Sequence, residues 1–204
     1  MAQWKIIKRY GHEQGLSCVF KQFRAPETHC SKLHGYPLAF EVIFEGDDLD
    51  DRNWLISFGD LKPFKAWLTE TFDHKCLVSV NDPDLQTMLD LEDKGIIDMV
   101  LVREVGCEYF AKMAFDWLYD HLEELSPRNF GNVQVKSVMV SEHAGNSAVY
   151  QPPVDNQCKT EEPYDSWDNE EWPLMKPDPN RYITVPRRYV DTSNFGVSLL
   201  ANKF

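Results

Sequence analysis

The chain has 204 residues, 43% of them hydrophobic, enough to bury a core in one domain, or in one domain with an appendage. Its 33 Asp and Glu against 21 Lys and Arg leave a net charge of −12, which argues against a general phosphate-binding surface and makes nucleic acid a poor partner. No stretch approaches the roughly 18 apolar residues of a membrane span, the first residues lack an apolar signal core, and the five cysteines form no Cys-x-x-Cys pair, so a cytoplasmic protein with reduced thiols and no membrane contact is expected.

In chain order, Leu16 to Ala25 has a β-like composition with Leu16, Cys18 and Phe20 on one face, and Leu38 to Glu45 is the clearest later strand. The two are expected to form an antiparallel pair, with the loop Pro26-Glu27-Thr28-His29 presenting Cys30 and His34 at its mouth. Gly59 to Thr71 reads as a helix through Leu61, Phe64 and Leu68, ending just before Phe72-Asp73-His74. Asp82-Pro83-Asp84 starts a further helix that stops near Lys94-Gly95, and Ile96 to Val102 suits a short strand. Gly106 to Leu125 carries the strongest helical stripe, from Phe110 and Met113 to Leu118 and Leu122.

Val133 to Glu142 alternates through Val133 and Val135 and then, after a one-residue phase change, through Val138 and Val140. A turn at Gly145-Asn146 returns the chain through Ala148 to Tyr150. Residues 1–150 are expected to form an α+β domain. Residues 151–204, rich in proline and acid, are expected to form an extension or wrapping arm, with an edge strand at Arg181 to Val185 and an end at Arg187-Arg188-Tyr189 suited to a neighbouring subunit or partner.

Cys30 stands four residues before His34, Asp73 precedes His74, and Glu142 closes a β-rich segment. A thiol able to act as a base, a carboxylate able to orient an imidazole and a glutamate anchor are the parts needed for proton transfer on a small ring. Each has a plainer reading. Cys30 is either a small buried hydrophobe or a thiolate whose reference pKa of about 8.5 a cationic neighbour lowers. Asp73 and His74 are either a helix-end cap or an acid–base pair. Glu142 is either a strand-end acid or a carboxylate accepting hydrogen bonds from two adjacent ring N–H groups. Glu108 either supports the same pocket or favours the N-terminus of its helix.

In this order the pieces resemble the 6-pyruvoyl-tetrahydropterin synthase and 6-carboxytetrahydropterin synthase family, whose tunnelling fold pairs β-hairpins with helices. The resemblance spans roughly residues 14 to 150. It rests on Cys30 with His34-Gly35, on Ile56-Ser57-Phe58-Gly59-Asp60-Leu61-Lys62, on Phe72-Asp73-His74, on Gly106-Cys107-Glu108 heading a helix, and on Val140-Ser141-Glu142 before Tyr150. The spacing of Cys30 and His34 looks like the 6-carboxytetrahydropterin synthase branch. The resemblance implies a carbon–oxygen lyase acting on 7,8-dihydroneopterin triphosphate in the queuosine (7-deazaguanine) pathway, with no nucleotide cofactor. Cys30 would be the base, His74 oriented by Asp73 would manage the opposing proton, and Glu142 would anchor the pterin. Glu108, Cys107 and Tyr36 would line the pocket, and Lys32 or Lys75 would meet the triphosphate. It also implies a homo-oligomer, commonly a hexamer, with active sites between subunits.

The metal is the main departure. The family usually carries three zinc-binding histidines, whereas here the two-histidine element reads His34-Gly35-Tyr36 and the first-strand position falls on Phe20. A catalytic zinc commonly takes three protein ligands and keeps one position open. Zinc therefore requires His34 and a replacement, for which His29 is nearest; His143, following Glu142, is expected on the opposite strand face. Tyr36 could instead donate a hydrogen bond to the substrate oxygen. Ser57 and Cys107 also replace an Asp and a Ser or Thr of the family pattern. The alternative is a non-catalytic pterin- or purine-binding, or structural, tunnelling-fold protein in which Phe20 and Tyr36 have filled the metal cavity.

Overall fold

A computed structural model describes residues 2–128 and 132–153. All of these but Pro153 belong to one compact unit, Met1–Pro152. The expectations for the arm, the strand at 181–185 and the end at 187–189 lie outside the described residues.

The unit is α+β, with two four-stranded sheets. The first contains β1 (Trp4–Tyr10), β4 (Ala39–Gly46), β7 (Val133–His143) and β8 (Asn146–Tyr150), in the order β1-β4-β7-β8 and antiparallel throughout. β4 reads as the sequence suggests: Phe40, Val42 and Phe44 are buried on one face, while Glu41 and Glu45 on the other meet Arg9 and Lys5 of β1 at 2.5 and 3.6 Å. The phase change in β7 is a bulge. Ile43 faces Ser137 and Phe44 faces Val135, so Lys136 is the extra residue and Ser137 and Val138 are buried in succession.

The second sheet runs β3 (His34–Pro37), β2 (Ser17–Phe20), β5 (Lys75–Ser79), β6 (Met99–Val102). β2 pairs antiparallel with β3 and parallel with β5. This corrects the expected pair. The stretch from His34 to Gly46 is split at buried Leu38, so that β3 lies beside β2 while β4 enters the other sheet between β1 and β7. Pro37, which lacks an N–H, sits at that break.

Helix α1 (Lys62–Phe72) starts with Pro63 in its first turn, after a short 3₁₀ segment at Phe58–Leu61. Helix α2 (Leu85–Asp93) is followed by Gly95 at φ +67°, and α3 (Cys107–Leu125) packs along β7 and β8 through its apolar stripe. A ladder of fully buried rings joins the layers: Phe40 of β4 lies 5.0 Å from Phe72 of α1, Phe72 lies 5.4 Å from Phe110 of α3, and Phe110 lies 5.2 Å from Phe20 of β2. Each buried ring contributes about 1.5–3 kcal/mol through area removed from water, with the edge contacts adding about 0.5–1.5 kcal/mol per pair. Phe20 is thus the end of the core ladder, and its neighbours on β3 form the wall of the site. No helix among the described residues is long and apolar enough to cross a membrane.

Candidate active site

Several of the candidate residues gather at the head of α3. Gly106 precedes the helix at φ +123°, ψ 159°, a conformation essentially reserved for glycine. A side chain there would meet the Gln22 amide nitrogen at 2.9 Å and the Glu108 carboxylate at 3.4 Å, so both groups converge on this turn. Gln22 in turn donates its backbone N–H to the Cys30 carbonyl at 2.7 Å, tying the Cys30 turn to the same place. Cys30 is half-buried in a 3₁₀ turn, His29–Ser31.

Cys107, the first residue of α3, is buried and lies near the Glu142 and Glu108 carboxylates. Burial first, then the charges of Glu142 and Glu108, push its thiol up to about 12, so it stays protonated and offers an S–H beside the Glu142 carboxylate. A thiol thus neighbours Glu142 where the family pattern has a hydroxyl. Burial likewise raises Cys18 to about 12 and Cys76 to about 11, which leaves both inert as bases near neutrality.

Glu142 is the extra residue of a second bulge, since Ser141 faces Ser147 and His143 faces Asn146. Strand alternation breaks there, and this overturns the expected placement of His143: its ring lies 6.3 Å from Tyr36, against the wall of the site. His34 and Tyr36 lie opposite Phe20 and Cys18, with the His34 ring 4.9 Å from Phe20 and 5.4 Å from Tyr36.

Asp73 and His74 lie elsewhere. Asp73 caps α1 and accepts from His74 Nδ1 at 2.6 Å, while His74 has φ +59° and donates its backbone N–H to the Ser17 carbonyl at 2.7 Å. Its side chain is 87% exposed. His74 is thus held at Ser17, the first residue of β2, whereas the Cys30 turn is held at Gln22, beyond the other end of that strand. The base and its expected acid–base partner are not brought together by a single chain.

The donors do not fit zinc. Phe20 is fully buried in the core ladder, His29 is exposed on its turn, and no three His, Cys, Asp or Glu among the described residues are grouped to hold a metal ion. His34 therefore stands without the second and third ligands. Of the lysines expected at the triphosphate, Lys75 is ion-paired with Asp98, and Lys32 is exposed with its charge felt at Asp84.

Sequence reasoning missed Gln22 and His143. Gln22 has no local signal, because its role comes from the approach of Gly106. His143 was misplaced because simple alternation was carried through the bulge at Glu142.

The antiparallel sheet with helices packed on it, and a carboxylate held at a helix head, define a tunnelling-fold protein. The chain belongs to the 6-pyruvoyl tetrahydropterin synthase family, whose family model matches residues 14–153. It is 29% identical over 161 residues to the 6-carboxy-5,6,7,8-tetrahydropterin synthase of Aquifex aeolicus, covering 72% of this chain and 98% of that protein. Among solved structures, an uncharacterised protein of Wolinella succinogenes matches with a TM-score of 0.61 at 20% identity, over 74% of this chain and 98% of its own. The 6-pyruvoyl tetrahydropterin synthase of Plasmodium vivax matches with a TM-score of 0.52 at 15% identity, over 74% and 100%. At these identities the structures establish the shared fold. The family is one of pterin synthases, which act on pterin substrates, often bind zinc and are typically oligomeric.

Proposed function

We propose that the chain is a 6-carboxytetrahydropterin synthase-like lyase acting on 7,8-dihydroneopterin triphosphate, in the route to 7-deazaguanine and queuosine. The observation that carries this reading is the constellation at the head of α3. The Cys107 thiol lies beside Glu142, and Gln22 ties the Cys30 turn to the same point. The free acceptor positions of Glu142 take the adjacent N–H groups of the pterin edge. Cys30 then draws a proton from the side chain bonded to the ring, and His74, with Nδ1–H held by Asp73 and Nε2 directed outward, manages the opposing proton.

Because His74 lies far from Cys30 in its own chain and is exposed, the two residues of one site come from different copies in a homo-oligomer, for which a hexamer is the family precedent. The test is consumption of dihydroneopterin triphosphate by the purified protein, with Cys30→Ala and Glu142→Gln as variants. Loss of general acid–base chemistry should lower kcat by roughly 10²–10⁴. Turnover that survives Cys30→Ala would refute this assignment.

One observation favours a second reading. The Phe20 ring occupies the first ligand position and packs 5.2 Å from Phe110, as a filled former metal cavity would. A folded protein that binds pterins without turning them over would establish that non-catalytic alternative.

A further inference from the structure

The disagreement over zinc leaves three polar rings together on the wall of the site. His34 and Tyr36 are two residues apart on β3 and so share a face, and His143 reaches Tyr36 from the bulged end of β7. Their hydrogen bonds assign complementary roles. His34 Nδ1 lies 2.7 Å from the Lys32 carbonyl, which can only accept, so Nδ1 carries the proton and Nε2 presents a lone pair. His143 Nδ1 accepts the Gly145 N–H at 3.1 Å, so in the neutral ring the proton sits on Nε2. The set thus offers an acceptor at His34, a donor at His143, and a phenol that can do both at Tyr36. A protonated Nε2 and a neutral phenol are poor metal ligands, but they match hydroxyl groups, each of which donates once and accepts twice.

We propose that His34, Tyr36 and His143 form a metal-independent subsite for the vicinal hydroxyls of the pterin side chain. Tyr36 O–H and His143 Nε2–H donate to side-chain oxygens, and His34 Nε2 accepts a hydroxyl proton. The bulge at Glu142 gives the arrangement its logic. It lets one short segment place Glu142 beside Cys107, for the ring edge, and His143 beside Tyr36, for the side chain. The inference rests on the pterin reading above and adds to it the groups that read the side chain.

The test uses the full chain dialysed against chelator, with metal content measured, and titrates it with neopterin, which carries the hydroxylated side chain, and with 6-methylpterin, which lacks it. Metal-free wild type is expected to prefer neopterin about tenfold, the scale of one or two net hydrogen bonds. Tyr36→Phe and His143→Leu should each erase most of that preference while leaving 6-methylpterin binding unchanged, and added zinc should not restore it. Nitrogen-15 spectra should show His34 protonated at Nδ1 and His143 at Nε2, a readout independent of binding. A neopterin preference that survives both substitutions, or that appears only with zinc, would overturn the inference and leave the pterin reading standing. Binding of neither pterin by wild type would overturn the pterin reading, and the inference with it.

Discussion

Gly106→Ala probes the junction on which the site depends. At φ +123°, ψ 159° the backbone lies in a region that only glycine occupies without strain, and holding an alanine there costs about 1–3 kcal/mol. The new methyl would stand 2.9 Å from the Gln22 amide nitrogen and 3.4 Å from the Glu108 carboxylate. Both are ends of flexible side chains, so they move aside at small further cost, but in moving they disturb the groups that join Cys30 to α3. Taking about 2 kcal/mol, and roughly 2–4 °C of Tm per kcal/mol for a unit of this size, Tm should fall by about 4–8 °C. Thermal unfolding followed by circular dichroism reads the stability, and a pterin titration on the same samples reads the site, where weaker binding is expected. An unchanged Tm together with unchanged pterin affinity would show that this turn is neither strained nor coupled to the site, and would refute the reasoning.

Lys21 lies between Asp82, 3.0 Å away and with a side chain only 2% exposed, and Asp84 at 2.5 Å, so Lys21→Met should destabilise the fold by about 3–5 kcal/mol in urea unfolding. Lys21→Met with Asp82→Asn should recover part of that loss, because no uncompensated charge stays buried. Of the four described cysteines, Cys30 alone should be alkylated at pH 8, as read by peptide mass spectrometry, since burial raises Cys18, Cys76 and Cys107 to about 11–12. Because those folded-state values exceed the unfolded thiol value, the three thiols bind more protons folded than unfolded as pH rises past about 8.5. Their stabilisation is complete below that pH and should be lost progressively up to about 12, visible as a falling Tm. Phe20→His with Tyr36→His should create stoichiometric zinc binding by metal analysis, at a cost in stability of about 3 kcal/mol or more for opening the ring ladder at Phe20.

Much of the fold was legible where burial imposes a period. β4 alternates because one face meets the ring ladder, and the apolar stripe of α3 marks the side that packs on β7 and β8. Even the bulge at Lys136 showed as a phase change between Val135 and Val138, because both halves of β7 stay buried. The sequence reading missed β1, β3 and β5. In Trp4–Tyr10 the basic residues interleave with exposed Trp4 and Ile7, so no clean apolar face stands out. β3 is a four-residue edge strand containing glycine and proline, and β5 follows His74 directly with no separating turn signal.

Of the candidate site residues, Cys107 and Glu108 head a helix and Glu142 lies in a strand where the local pattern puts those elements. The partnership of Gln22 with Gly106, the turning of His143 toward Tyr36 and the separation of His74 from Cys30 could not be read from local pattern. Each depends on which strand lies beside which, and on a bulge at Glu142 that no apolar alternation marks.

A site that takes Cys30 and His74 from different copies of the chain, as proposed above, is open to a complementation test. The direct measurement is to denature and refold together two inactive variants, Cys30→Ala and His74→Ala, and to assay dihydroneopterin triphosphate consumption by the mixed assembly. With random mixing, about one quarter of the sites between copies receive both intact residues, so roughly a quarter of wild-type activity should return. Mixed assemblies that form and stay inactive, beside an active wild type treated the same way, would contradict it.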